Sequence, residues 1–203
     1  MHFVIIPGID NSDQAHWQSI WEAEWGALAS RIDVASWERP ELDDWRLAIH
    51  RAVREAGPSA VLVAHSLGCL AATQWAAANP SGSRGLFLVC PPDPRGPSFP
   101  RELASFAVVD AQPVHTPSLV VSSDNDQFCT PERAEQLARG WGLPLISVGP
   151  LGHINSASGL GRWEDGRALL TAFTAGLRSR GSRDGRQGGS AAYPAVHHAA
   201  AQR

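Results

Sequence analysis

The chain has 203 residues, 43% hydrophobic and 18% charged, which fits one globular domain with a substantial core. A net charge of −3 excludes the global basic field that gathers nucleic acid or anionic lipid, so neither nucleic acid nor membrane is expected as a partner.

The chain opens Met1-His2-Phe3-Val4-Ile5-Ile6-Pro7-Gly8, without a basic leader and with an apolar run too short for a signal peptide or a membrane span. It reads as a buried strand over 3–6, and a cytoplasmic location is expected. A helix over 14–28 carries Trp17, Trp21 and Trp25 on one face, which is expected to pack on the sheet. After a second strand over 32–35 comes a helix over 41–56. Its Leu42, Trp45, Ile49, Ala52, Val53 and Ala56 recur at three- and four-residue spacing between Pro40 and Gly57-Pro58.

Further apolar runs at 60–64, 85–89, 118–122 and 145–148 read as strands buried on both faces, as in a parallel sheet. Helices are expected directly after Ser66, from Pro131, and over 163–177. Residues 90–106 form a proline-rich excursion at the carboxyl edge of the sheet, a place where loops shape pockets. From Ser179 the chain turns rich in Gly, Ser, Ala and Arg, so a domain over 1–178 and a disordered tail over 179–203 are expected. The alternation gives a compact α/β fold of about six mostly parallel strands, helices on both faces and no large lid domain.

The strongest chemical signal is Val61-Leu62-Val63-Ala64-His65-Ser66-Leu67-Gly68, a strand running into a serine from which a small-residue helix departs. This is the setting of a nucleophile elbow, whose neighbours at two residues either side must be small because strand and helix nearly touch. Gly68 meets that need, and Ala64 stands where glycine is usual. The helix start also aims backbone N–H groups at developing negative charge, which makes Leu67 N–H one oxyanion donor. Ile9 N–H, from the loop after the first strand, is the other.

A serine needs a base, and the base needs an acidic orienter. His153, in Gly149-Pro150-Leu151-Gly152-His153-Ile154-Asn155, follows the last strand at the same sheet edge as Ser66. Ser122-Ser123-Asp124-Asn125-Asp126 follows the strand before it. Asp126, further into the loop, is preferred as the acid over Asp124, which lies nearer the strand and suits a turn. The chain order Ser, Asp, His is that of α/β-hydrolases.

His65 is expected to pack in the elbow. His16 is expected either to line the pocket near Asn11 and Ser12 or to cap the tryptophan helix. Cys69, Cys90 and Cys129 cannot all pair with one another, and they lack zinc spacing, so buried thiols in a reducing compartment are expected. No metal and no cofactor are expected.

Pro7-Gly8, Asn11-Ser12, His16-Trp17-Gln18 and Trp21-Glu22, with Ala64-His65-Ser66-Leu67-Gly68 and Gly152-His153-Ile154-Asn155, resemble the YdeN-like serine hydrolases, relatives of retinoblastoma-binding protein nine. Ser158-Gly159 and Gly161 extend the match, which covers residues 3–177. The resemblance implies a compact α/β-hydrolase and a triad of Ser66, Asp126 and His153, with Gln127 standing where proline is common after the acid. It implies a hydrolase of small acyl substrates, esters and amides included, acting through an acyl-enzyme on Ser66. The alternative from another class is a protein-binding module that uses the tryptophan face or the proline-rich loop on a hydrolase scaffold. Such a module has no need of a triad.

Overall fold

The computed structural model describes residues 1–107 and 112–184, with side chains described as far as residue 178. Six strands, β1 His2–Ile6, β2 Ala29–Arg31, β3 Ala60–His65, β4 Gly85–Val89, β5 Ser118–Ser122 and β6 Leu145–Ser147, form one sheet in the order β2-β1-β3-β4-β5-β6. Every pairing is parallel. The central strands β3, β4 and β5 are buried along their whole length, which is why they read as unbroken apolar runs.

Helices cover both faces. On one side α2 Leu42–Ala56, α3 Leu67–Ala78, the short α4 Ala104–Ala107 and α5 Pro131–Trp141 bury Trp45, Ile49, Leu70, Phe106 and Trp141 against the sheet. On the other, α1 Trp17–Trp25 and α6 Glu164–Asp184 bury Trp17, Trp21, Leu170 and Leu177. The tryptophan face of α1 therefore belongs to the core, with Trp17 and Trp21 each 1% exposed.

The chain departs from β1 in both directions, to β2 on one side and β3 on the other, and this reversal of strand order opens a crevice at the carboxyl ends of β1 and β3. The loops that carry Ile9 and Ser66 leave the sheet at that point.

Some boundaries differ from those read in the sequence. The second strand is Ala29–Arg31, not 32–35, because this edge strand pairs on one side only and its half-buried Ala-Ser-Arg carries no apolar signature. Ile32, the expected first residue of that strand, lies just past it and still donates its N–H to Ile5 O at 3.1 Å. Helix α1 begins at Trp17 and not at Gln14, because the Asp13 carboxylate gathers the Ala15 and His16 N–H groups into a turn. It yields to a 3-10 turn over Gly26–Leu28.

Helix α6 runs to Asp184, beyond the expected end at 177. No proline stops it, and an interior glycine such as Gly181 weakens a helix without ending it. The rest of the tail read from the sequence, 185–203, lies outside the described residues. No helix among the described residues is long and apolar enough to cross a membrane.

Candidate active site

Ser66 sits between β3 and α3 with φ 52° and ψ −127°, a left-handed conformation costly for any residue with a Cβ. Close backbone packing enforces it. A methyl group on Gly68 would lie 2.3 Å from Pro7 O and 2.5 Å from Ile6 O, so α3 can start here only because residue 68 has no side chain. A methyl group on Gly8 would come within 2.9 Å of Ser66 Cβ. Ala64 is fully buried and fits where glycine is usual.

His153 reaches this corner from the loop after β6. Its Nε2 lies 2.8 Å from Ser66 Oγ, and its Nδ1 lies 2.9 and 2.8 Å from the two oxygens of Asp126. A carboxylate only accepts, so the ring proton sits on Nδ1 and the bare Nε2 faces the serine hydroxyl. Both side chains are buried. Asp126 also accepts from Phe128 N–H at 2.9 Å. Asp124, the alternative acid, instead accepts from the Ser147 hydroxyl and stands apart from His153.

The loop that carries His153 is tied down by groups from elsewhere. Ser123 Oγ accepts from Leu151 N–H at 2.9 Å, and Asn125 Oδ1 accepts from Gly152 N–H at 2.6 Å. His65 Nε2 donates to the carbonyl of His153 at 2.9 Å, and Trp17 Nε1 donates to that of Ile154 at 2.8 Å. These last two ties hold a β-branched residue, Ile154, at φ 48°.

His65 thus ties down the loop that carries His153, a contact the sequence did not reveal. Burial drives its pKa well below that of an ordinary histidine, with His153 and His16 opposing its charge further. His16 fulfils both readings made of it. Its Nδ1 caps α1 by accepting from Gln18 N–H at 3.1 Å, and its ring lines the cavity above Ser66. Burial lowers its pKa to about 4, so the ring is neutral with the proton on Nε2.

That cavity has a volume of about 420 Å³, inside the usual range for small-molecule sites. Ile9 and Leu67 line it beside Ser66, and neither N–H has an acceptor among the described residues. The loop bearing Ile9 is held by Arg31, which donates to Asn11 Oδ1 at 2.6 Å and to Ser12 O at 3.1 Å. The buried Gln18 amide ties the same loop to β1 and β3. The proline-rich excursion does shape the pocket, supplying Pro92, Phe99 and Leu103.

All three cysteines are free and buried. Among the described residues Cys90, Asp126 and His153 bring potential metal ligands within 4.8 Å of one another. A thiol must lose its proton to bind a metal, but burial and the adjacent Asp126 carboxylate push the Cys90 pKa well up. The cluster therefore suits a hydrogen-bonded acid better than a metal centre.

A parallel sheet with helices on both faces and a serine on a left-handed strand-to-helix corner define an α/β-hydrolase. A family model described as serine hydrolase matches residues 3–172. A YdeN-like hydrolase of Pectobacterium atrosepticum superposes with a TM-score of 0.76 at 34% identity, covering 87% of this chain and 91% of that one. The chain belongs to the YdeN-like serine hydrolase family.

The ydeN gene product of B. subtilis shares the fold at 21% identity and a TM-score of 0.72, with 86% of this chain and 98% of that one covered. A monoacylglycerol lipase of Paleococcus ferrophilus shares it at 13% identity and a TM-score of 0.66, with 85% and 93% covered. No curated protein sequence matches the chain.

Proposed function

We propose that this hydrolase cleaves small ester or amide substrates by two-step acyl transfer, with Ser66 as nucleophile, His153 as base and Asp126 as the acid that orients it. The supporting observation is the relay from Asp126 through His153 to Ser66, with contacts of 2.8–2.9 Å, at the floor of the cavity.

His153 Nε2 takes the Ser66 proton as Oγ adds to the substrate carbonyl, and Asp126 stabilises the imidazolium that forms. Leu67 and Ile9 N–H groups hold the oxyanion, each contributing on the order of 3 kcal/mol to the lowered barrier. The imidazolium protonates the leaving atom as its bond to the acyl carbon breaks. Water then enters, gives a proton to His153 and releases the acid as Ser66 recovers its hydrogen.

A fluorophosphonate probe should label the wild-type protein and leave Ser66→Ala unlabelled. Labelling that persists in the variant would remove Ser66 from the role. Trp17 and Trp21, each 1% exposed, are not available as a docking face for the alternative of a binding module.

A further inference from the structure

The cavity straddles the carboxyl edge of the sheet, and its two walls differ in chemistry. Over the α2–α5 face the wall is apolar. Ile9, Phe99 and Leu103 line it and pack with the core cluster of that face. Over the α1–α6 face the lining is Asn11, Asp13, Asn155 and Ser156, with Asp10 at the boundary between the walls, its N–H donating to Trp37 O at 3.0 Å. The loops bearing these five residues meet where Ser156 Oγ donates to Asp13 Oδ1 at 2.7 Å.

This polar wall mixes donors with acceptors. Asn11 and Asn155 use their amide oxygens within the protein, on Ser12 and Arg31 for the first and on Ala157 for the second. Their amide nitrogens and the Asp10 carboxylate have no partner among the described residues. Neither arginine nor lysine lines the cavity. His16 and His65 are neutral, so they add no positive charge.

The polar wall is also the continuation of the His153 loop. A leaving group must sit where His153 can protonate it, whereas the acyl chain can occupy the space on the other side of Ser66. Resting on the reading of Ser66 and His153 above, we infer that the substrate is an ester of a short apolar acid with a hydroxyl-bearing alcohol that carries no negative charge. Hydroxyls both donate and accept, which matches the mixed wall. An anionic leaving group would face the Asp10 and Asp13 carboxylates, and the Arg31 guanidinium that holds this loop is already paired with Glu22.

Four butyrate esters test this, with ethanol, glycerol, choline and glycolate as the alcohol part. The glyceryl ester should have the highest kcat/KM, at least tenfold above the glycolate ester and several-fold above the ethyl ester. Asp10→Asn should narrow the ratio of glyceryl to glycolate, and asparagine tolerates the φ of 62° at that position. An ethyl ester equal to the glyceryl ester, a choline ester above it, or a glycolate ester within twofold of it would overturn the inference while Ser66 labelling still stood. Failure of all four esters together with absent labelling would overturn the catalytic reading along with it.

Discussion

The corner that presents Ser66 is built of backbone against backbone, whereas the loop that presents His153 is tied down by side chains reaching in from other elements. At Ser66 the space left by Gly8 and Gly68 fixes the geometry, and a single methyl group at either would collide with main chain or with Ser66 itself. At His153 the preceding strand is a short, half-exposed edge, and position depends on hydrogen bonds from Trp17, His65, Ser123 and Asn125. The first arrangement fails all at once. The second loosens one tie at a time.

The largest effect should come from Asp126→Asn, which leaves the shape of the loop but removes the acceptor that fixes the His153 tautomer. Turnover of an activated ester should fall on the order of 10⁴-fold. Asp124→Asn, which alters only the link to Ser147, should stay near wild type. Equal losses in the two variants would contradict the assignment of Asp126.

Next is Gly68→Ala, which breaks the backbone-built side. Overpacking of this kind costs about 1–3 kcal/mol, so the urea midpoint should drop and activity should fall with it. A variant with wild-type midpoint and rate would show that the close approach is not needed.

Acid sharpens the other side. His16 and His65 are neutral when folded but ordinary histidines when unfolded, so below pH 6.5 the unfolded chain binds more protons. Stability should therefore rise with pH across the window set by His16, from about 4 to 6.5, and be lost on acidification. The slope is about 1.4 kcal/mol per pH unit for each such histidine. His16→Asn keeps a side-chain acceptor for Gln18 N–H while removing one titrating ring. Its urea midpoints at pH 7 and pH 5 should differ less than those of the wild type, and an undiminished difference would count against a neutral buried His16.

The smallest effect belongs to Trp17→Phe, which keeps an aromatic ring in the core but deletes the donor to Ile154. Loss of one such bond costs about 1 kcal/mol. It should appear as a several-fold drop in kcat with KM little changed, because the base is displaced and the cavity is not. A rise in KM alone would place Trp17 in substrate contact instead.

Burial explains what the sequence disclosed. Val61-Leu62-Val63 and Leu86-Phe87-Leu88 could be read as strands because both of their faces are covered, leaving no polar residue to break the run. The edge strand β2 hid itself for the opposite reason, its pairing residues being Ala29, Ser30 and Arg31. The grouping of Ser66, His153 and Asp126 was legible because each follows a strand that ends at one edge. The clamps from Trp17 and His65 were not. Each is a bond from a ring N–H to a carbonyl, 137 and 88 residues along the chain, and any residue type supplies a carbonyl. The two walls of the cavity were equally hidden, since they are assembled from the segments after β1, β4 and β6.

The Trp17 hydrogen bond has an optical consequence. Its indole lies 4.5 Å from the ring of Trp21 and 5.3 Å from that of Trp163, close enough for the three chromophores to couple. One member of that group is bonded directly to the loop that carries His153. Intrinsic fluorescence and near-ultraviolet circular dichroism of the unlabelled protein should therefore respond to any displacement of the loop that carries His153.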